Sequence, residues 1–161
     1  LALNRVLNKL KYSRKISIYG IGISYTIAET AAFKFMSLGI QCSAFNGLNE
    51  HYVQTSKSKK EEVAIVISLT GSNPNILRIA EYMKKNGIFV IGIIGSEYNE
   101  IANFCDEILE LYSKKQILSL EVINGLTAAN YIFDILFVSL LVQDYQHNVD
   151  AAIEVLKYKD Y

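Results

Sequence analysis

The chain has one proline among 161 residues, two cysteines, no tryptophan and no net charge, and each shortage removes a class of protein. Lys plus Arg number 16 and Asp plus Glu number 16. No basic excess is left to spread over a nucleic-acid surface, so any DNA binding has to come from another segment. Cys42 and Cys105 are far apart and fit no metal-ligand spacing. That pattern predicts reduced, buried thiols in a cytosolic protein, with no disulfide framework and no metal site. Long hydrophobic runs are also short in supply. The most apolar one, YIFDILFVSLLV at 131–142, contains Asp134 and falls below the roughly 20 residues of a bilayer span, so it reads as a buried or interfacial helix and not a membrane segment. The chain starts LALNR, with neither an initiator Met nor a signal-peptide hydrophobic region. Leu3, Val6, Leu7 and Leu10 lie at helical spacing there, and the sequence reads as a piece of a longer protein.

What is present is a 51% hydrophobic composition, enough for one domain over residues 1–161 with a substantial core. Short apolar runs alternate with helical patterns from end to end, which predicts an α/β fold with a parallel sheet. Strands are expected at 16–19, 40–45, 63–67, 88–94 and 107–111. Helices are expected at 26–38, 48–56, 74–85 and 99–104, and two more at 125–144 and 148–158. Asn46-Gly47 reads as a turn, and SKSKKEE at 56–62 as a solvated connection. In the long helix, Ala129, Ile132, Phe133, Leu136, Phe137, Leu140 and Leu141 form a stripe wide enough to pack on the sheet. Tyr131, Ile135 and Val138 fall outside it, and a helix apolar on so many sides calls for a second cover, here another subunit.

Two strand-to-helix junctions carry small polar residues and glycine. At 63–83, VAIVISLTGSNPNILRIAEYM, a β-branched run breaks into Ser68-Leu69-Thr70-Gly71-Ser72-Asn73 before Pro74 opens a helix with Ile76, Ile79, Ala80 and Met83 on one face. Asn73 is a good N-cap. Hydroxyls and a glycine at a helix N-terminus, where partial positive charge gathers, suit a phosphate. The plainer alternative is that Ser68, Thr70, Ser72 and Asn73 only cap the helix and satisfy the turn. The second junction, IYGIGISYTIAET at 18–30, holds Gly20, Gly22 and Ser24. A dinucleotide loop would need a third glycine near Tyr25 and an acid after the next strand, which ends Ala44-Phe45-Asn46. A P-loop lysine is missing too, so no NAD or ATP and no other cofactor is expected. If strands one and three are neighbours, Ser24 and the pair Ser68 and Thr70 face one ligand beyond the carboxyl ends of the strands.

Gly20-x-Gly22-x-Ser24 after strand one, with Ser68-x-Thr70-Gly71-x-Asn73 after strand three, resembles the sugar isomerase (SIS) domain over nearly the whole chain. Within that family, LGIQCSAFNGLNEHYVQ at 38–54, EIANFCDEILEL at 100–111 and YIFDILFVSLLVQD at 131–144 resemble the C-terminal effector domain of RpiR-type transcriptional regulators. The resemblance implies a three-layer sandwich on a five-stranded parallel sheet, flavodoxin-like. It implies a cytoplasmic phosphosugar sensor of carbohydrate metabolism, a homodimer or higher oligomer. DNA is then reached only through an N-terminal helix-turn-helix domain, absent from this sequence, to which residues 1–14 would be the connecting helix. Residue by residue, it puts Ser68 and Thr70 on the phosphate, with Gly71 allowing close backbone approach and Ser24 near the phosphate or sugar, and it counts Gly22, Leu69 and Asn73 among the phosphosugar-binding residues. Thr70 stands where Ser is usual and Asn73 where Thr is usual. Ile94 stands where many relatives carry Thr.

Aldose–ketose isomerisation needs a base to move a proton between adjacent carbons, usually Glu in this family and often with His for ring opening. Glu121, in the loop before the long helix, and His51, after strand two, are the candidates for sugar contact, and neither sits in a matching isomerase motif. Glu121 would be catalytic only if the chain is an isomerase, which is the alternative to the sensor. His147 reads as a helix-connection residue.

Overall fold

The structure, a computed structural model, describes residues 1–46, 61–95, 100–112 and 118–159. Among them, five strands form one all-parallel sheet in the order β2-β1-β3-β4-β5. The strands are β1 (Lys15–Tyr19), β2 (Cys42–Phe45), β3 (Glu62–Ser68), β4 (Phe89–Gly95) and β5 (Glu107–Leu111). The helices are α1 (Ala2–Lys11), α2 (Ile23–Ser37), α3 (Pro74–Lys85), α4 (Leu118–Gln143) and α5 (Tyr145–Lys157), with a 3-10 turn at Glu100–Phe104. This is the doubly wound order in which β1 and β3 are neighbours, Ile16 opposite Val63 and Tyr19 opposite Val66.

Strand alternation sorts the core into two layers. Ile65, Ile67 and Leu69 pack with Ile27, Ala28 and Ala31 of α2 and with Ala129, Phe133 and Leu136 of α4. Ala64 and Val66 face the other way, onto Ile76, Ile79, Ala80 and Met83 of α3 and Ile101 of the 3-10 turn. β3 is apolar on both faces because both are covered. Phe35 and Phe133 meet edge to face, 6.2 Å between centroids. On the α2 side of the sheet, α1 inserts Val6, Leu7 and Leu10 into the first layer. Arg5 forks onto Glu107 at the start of β5, with Nη2 donating to Oε2 at 2.9 Å. That pairing holds the Glu107 carboxyl below its usual range and raises Arg5 above its own.

β2 starts at Cys42 and not at 40, other strand ends shift by one residue, and the helices differ more from the sequence reading. α2 begins at Ile23 and not at 26, so Ser24 sits in its first turn. α4 begins at Leu118 and not at 125, which moves Glu121 out of a loop and into the helix. α5 starts at Tyr145, ahead of Asn148, and the segment at 99–104 is 3-10, not α. Residues 47–60, which include Gly47, the expected helix at 48–56, most of the 56–62 connection and His51, lie outside the described residues.

The apolar run at 131–142 proves to be part of a 26-residue helix. Its Leu120–Gln143 portion is long enough and, at mean hydropathy 1.8, apolar enough to cross a bilayer by length and composition. One face of it packs on the sheet, while Tyr131, Val138 and Val142 are exposed. Ala129, Phe133, Leu136 and Leu140 are buried on the sheet, and Asp134 forms an ion pair with Lys34 of α2. Cys42 is buried and Cys105 half-buried, where burial of both had been expected. Both are free, and burial pushes each thiol up to about 12, which keeps them protonated and unreactive at neutral pH.

Candidate functional site

After β1 the chain turns to α2 on one face of the sheet, and after β3 it turns to α3 on the other. Because β1 and β3 are adjacent, the two exits open a crevice at the carboxyl ends of the strands, the place where ligands of open α/β sheets bind. Neither α2 nor α3 has an acid in its first turn, so neither helix dipole is offset by a carboxylate of its own first turn.

The β1 side of the crevice is built by close approach. A Cβ on Gly20 would stand 2.4 Å from the Ser24 carbonyl oxygen, so α2 can start where it does only over a glycine. Gly22 takes φ 62° and ψ −124°, a conformation open almost only to glycine. As the N-cap of α2 it offers no side-chain cap, and its N–H donates to Asn46 Oδ1 at 3.4 Å. Ser24 is buried, 7% exposed, with its N–H donating to the Ile21 carbonyl at 3.3 Å.

The β3 side is built from hydroxyls. Gly71, at φ 73°, closes a tight turn by donating to the Ser68 carbonyl at 3.1 Å. Asn73 Oδ1 accepts from the N–H of Asn75 at 2.9 Å and of Ile76 at 3.3 Å, so the expected N-cap is made and that oxygen is occupied by it. Thr70 Oγ1 and Ser72 Oγ lie 3.0 Å apart; sharing one hydrogen bond between two hydroxyls leaves one O–H free to donate outward. Ser68 differs. It is 3% exposed and its Oγ has no partner among the described residues. By alternation from Ala64 and Val66, its side chain lies on the α3 face of the sheet. An orphaned buried hydroxyl costs roughly 1–3 kcal/mol, which a fold keeps when something else satisfies the group. Ser17 Oγ and Glu62 Oε2 are also unpartnered, but they lie in the body and at the start of their strands, away from the loops.

The two loops are braced from behind. A Cβ on Gly95 would stand 2.2 Å from the Leu69 carbonyl oxygen, and one on Gly125 would stand 3.3 Å from Leu69 Cβ. α4 therefore leans on Leu69, and Glu121, four residues before Gly125, is one turn away on the same helix. Gly95 was legible as a glycine ending an apolar strand; Gly125 was not, since in sequence it reads as a helix start. Beside the α3 start lies a cavity of about 310 Å³ lined by Gly71, Ser72, Asn73, Pro74, Leu77, Glu100 and Ile101. It opens beside the β3 loop, and Ser24 is not among the residues that line it. The sequence carried no signal for Glu100. Among the described residues no group of three His, Cys, Asp or Glu could hold a metal ion. His147 is exposed on α5, near Lys11 and Asp144 and far from the crevice.

An uncharacterized HTH-type transcriptional regulator of Haemophilus influenzae is 28% identical over 141 residues, covering 88% of this chain and 49% of the relative. The chain spans about half the length of the curated relatives it matches. The Vibrio vulnificus NanR protein, solved with ManNAc-6P, shares the fold with a TM-score of 0.85 at 20% identity, over 96% of this chain and 60% of its own. The sugar isomerase domain of the RpiR transcription factor from Sphaerobacter thermophilus does so with a TM-score of 0.81 at 14% identity, over 97% of this chain and 86% of its own. The SIS domain model matches residues 9–139, most of the sequence, and the chain belongs to the SIS domain family.

Proposed function

We propose that this chain is the phosphosugar-sensing domain of an RpiR-type transcriptional regulator of carbohydrate metabolism, binding its effector's phosphate at Ser68, Thr70 and Gly71. The observation that carries the reading is the buried Ser68 hydroxyl at the end of β3, which has no partner among the described residues. Support comes from the regulators among its relatives and from the phosphosugar bound to its NanR neighbour. In this reading the protein is cytoplasmic, and DNA is contacted by a helix-turn-helix domain outside these residues, with residues 1–14 as the connection. Two copies pair through the outer face of α4, where Tyr131, Val138 and Val142 are exposed; sedimentation showing only an 18.1 kDa species would remove the dimer.

The test is calorimetric titration of wild type and Ser68→Ala/Thr70→Ala with a panel of sugar phosphates and the matching free sugars. Hydrogen bonds to a charged group contribute roughly 1.5–3 kcal/mol each, so losing two weakens binding by about two to four orders of magnitude. Equal binding by the double mutant, or equal affinity for the free sugar, defeats the phosphate assignment. The isomerase alternative rests on Glu121, held one helical turn from the residue that packs on Leu69. Turnover of a sugar phosphate that Glu121→Gln abolishes would establish it in place of the sensor.

A further inference from the structure

α5 buries none of its residues. Its first turn is tied to the body, where Asn148 Nδ2 donates to the Leu141 carbonyl at 3.3 Å and Val149 is half-buried. Beyond that turn every residue from Asp150 to Lys159 is exposed. Val149, Ala152, Ile153 and Leu156 nevertheless fall at i, i+3, i+4 and i+7, the spacing of a helix that lays one apolar stripe on a surface. Ile153 is 47% and Leu156 59% exposed, so the outer half of the stripe has no cover among the described residues of its own chain. A helix of 13 residues with so little packing is marginal in water. Its pattern is that of an arm laid on a surface it does not meet within its own chain.

The body carries a groove of matching kind. Leu3 of α1, Leu109 of β5, and Ile132 and Ile135 of α4 enclose about 210 Å³, with Glu110 as the charged residue on the lining. That volume is below the roughly 300–1,000 Å³ of small-molecule sites. Aliphatic walls of that size suit branched side chains from a helix laid across them. Lys157, at the end of the arm, is opposite in sign to Glu110, and among the described residues neither forms an ion pair.

We propose that α5 is an exchanged arm, which lays Ile153 and Leu156 in this groove of a second copy and brings Lys157 beside the partner's Glu110. This rests on the pairing of two copies through the outer face of α4 given above. Gln143 ends α4, roughly 7 Å beyond Val138 at about 1.5 Å per residue. With two α4 helices crossed antiparallel at Val138, the same distance along the other helix falls between the partner's Ile132 and the partner's Ile135. The arm therefore starts beside the groove it fills. Exchange is reciprocal, so both arms and both grooves are used and the assembly closes at two subunits.

Wild type and Ile153→Glu/Leu156→Glu are compared by sedimentation equilibrium. Removing two aliphatic side chains from each of two grooves should raise the dimer dissociation constant about a hundredfold or more. The circular dichroism of the variant should show the fold intact, since both residues are exposed in the single chain. An equally tight dimer overturns the arm and leaves the α4 pairing standing; wild type that stays an 18.1 kDa monomer removes both. The direction of exchange is read with a short bis-maleimide on Leu3→Cys/Leu156→Cys, in which no charge is introduced. Cys42 and Cys105, with thiols pushed up to about 12 by burial, react little. A covalent dimer from the double variant and from neither single variant is expected. A link within one chain, a dimer from Leu156→Cys alone, or no covalent dimer at all would each contradict the exchange.

Discussion

Two strand-to-helix loops, residues 20–22 and residues 69–73, meet at one crevice, and they are built on opposite plans. The loop after β1 is glycine where the backbone must pass close to itself, its helix has no side-chain cap, and its buried serine sits within the helix. The loop after β3 is hydroxyl-rich, its helix is capped by Asn73, and its innermost hydroxyl is left without a partner. Steric need explains the first loop completely. It does not explain Ser68, since an alanine there would satisfy the turn at lower cost. The difference separates residues that let the crevice exist from a residue whose hydroxyl has no partner among the described residues.

Substitutions should split along that line. The largest loss of stability is expected from Gly20→Ala, whose Cβ would strike the Ser24 carbonyl; about 3 kcal/mol, the upper part of the range for overpacking, is expected in urea denaturation. Gly22→Ala meets no neighbour within 4 Å and suffers only backbone strain, about 2 kcal/mol by the same measurement. If Gly22→Ala cost as much as Gly20→Ala, close approach would not be what shapes the β1 loop. Asn73→Ala removes the cap of α3 and should cost about 1 kcal/mol, while most sugar phosphate affinity survives because the Ser68 and Thr70 hydroxyls remain.

The smallest effect concerns the far edge of the sheet. The Glu107 carboxyl titrates below its ordinary 4.5 because Arg5 hydrogen-bonds it. A depressed folded value means that the stabilisation is present above about pH 4.5 and fades as pH falls through the lower folded value. Wild type should therefore exceed Glu107→Gln in stability at neutral pH, and the gap should close in acid. A gap that persists at pH 2 would show that the charge of Glu107 is not what tethers α1.

Much of this was legible in the sequence, and the exceptions share a cause. Strand positions followed from β-branched runs, and both loops from their glycines and hydroxyls, because those signals are local. The start of α3 was readable because Asn73 and Pro74 are local signals too. The start of α2 was not, since Gly22 caps it without a side chain and leaves no polar marker. Gly125 reads as a helix start, but α4 runs through it, and the missing side chain there lets Leu69 approach, a tertiary fact. Asn148 resembles a cap for α5, but its Nδ2 donates to the Leu141 carbonyl at 3.3 Å, and the helix starts three residues earlier. Glu100 was missed for the same reason: its place beside the α3 start depends on how β3 and β4 pair, not on any spacing along the chain.

The most direct test of the account is one substitution read two ways. Ser68→Ala deletes a hydroxyl that has no partner among the described residues, so its melting temperature should equal or exceed that of wild type, while affinity for the tightest-binding sugar phosphate falls at least tenfold. Unchanged affinity, or a clear loss of stability with affinity intact, would mean that Ser68 serves the fold and not a ligand, and would contradict the assignment of the β3 loop as a phosphate cradle.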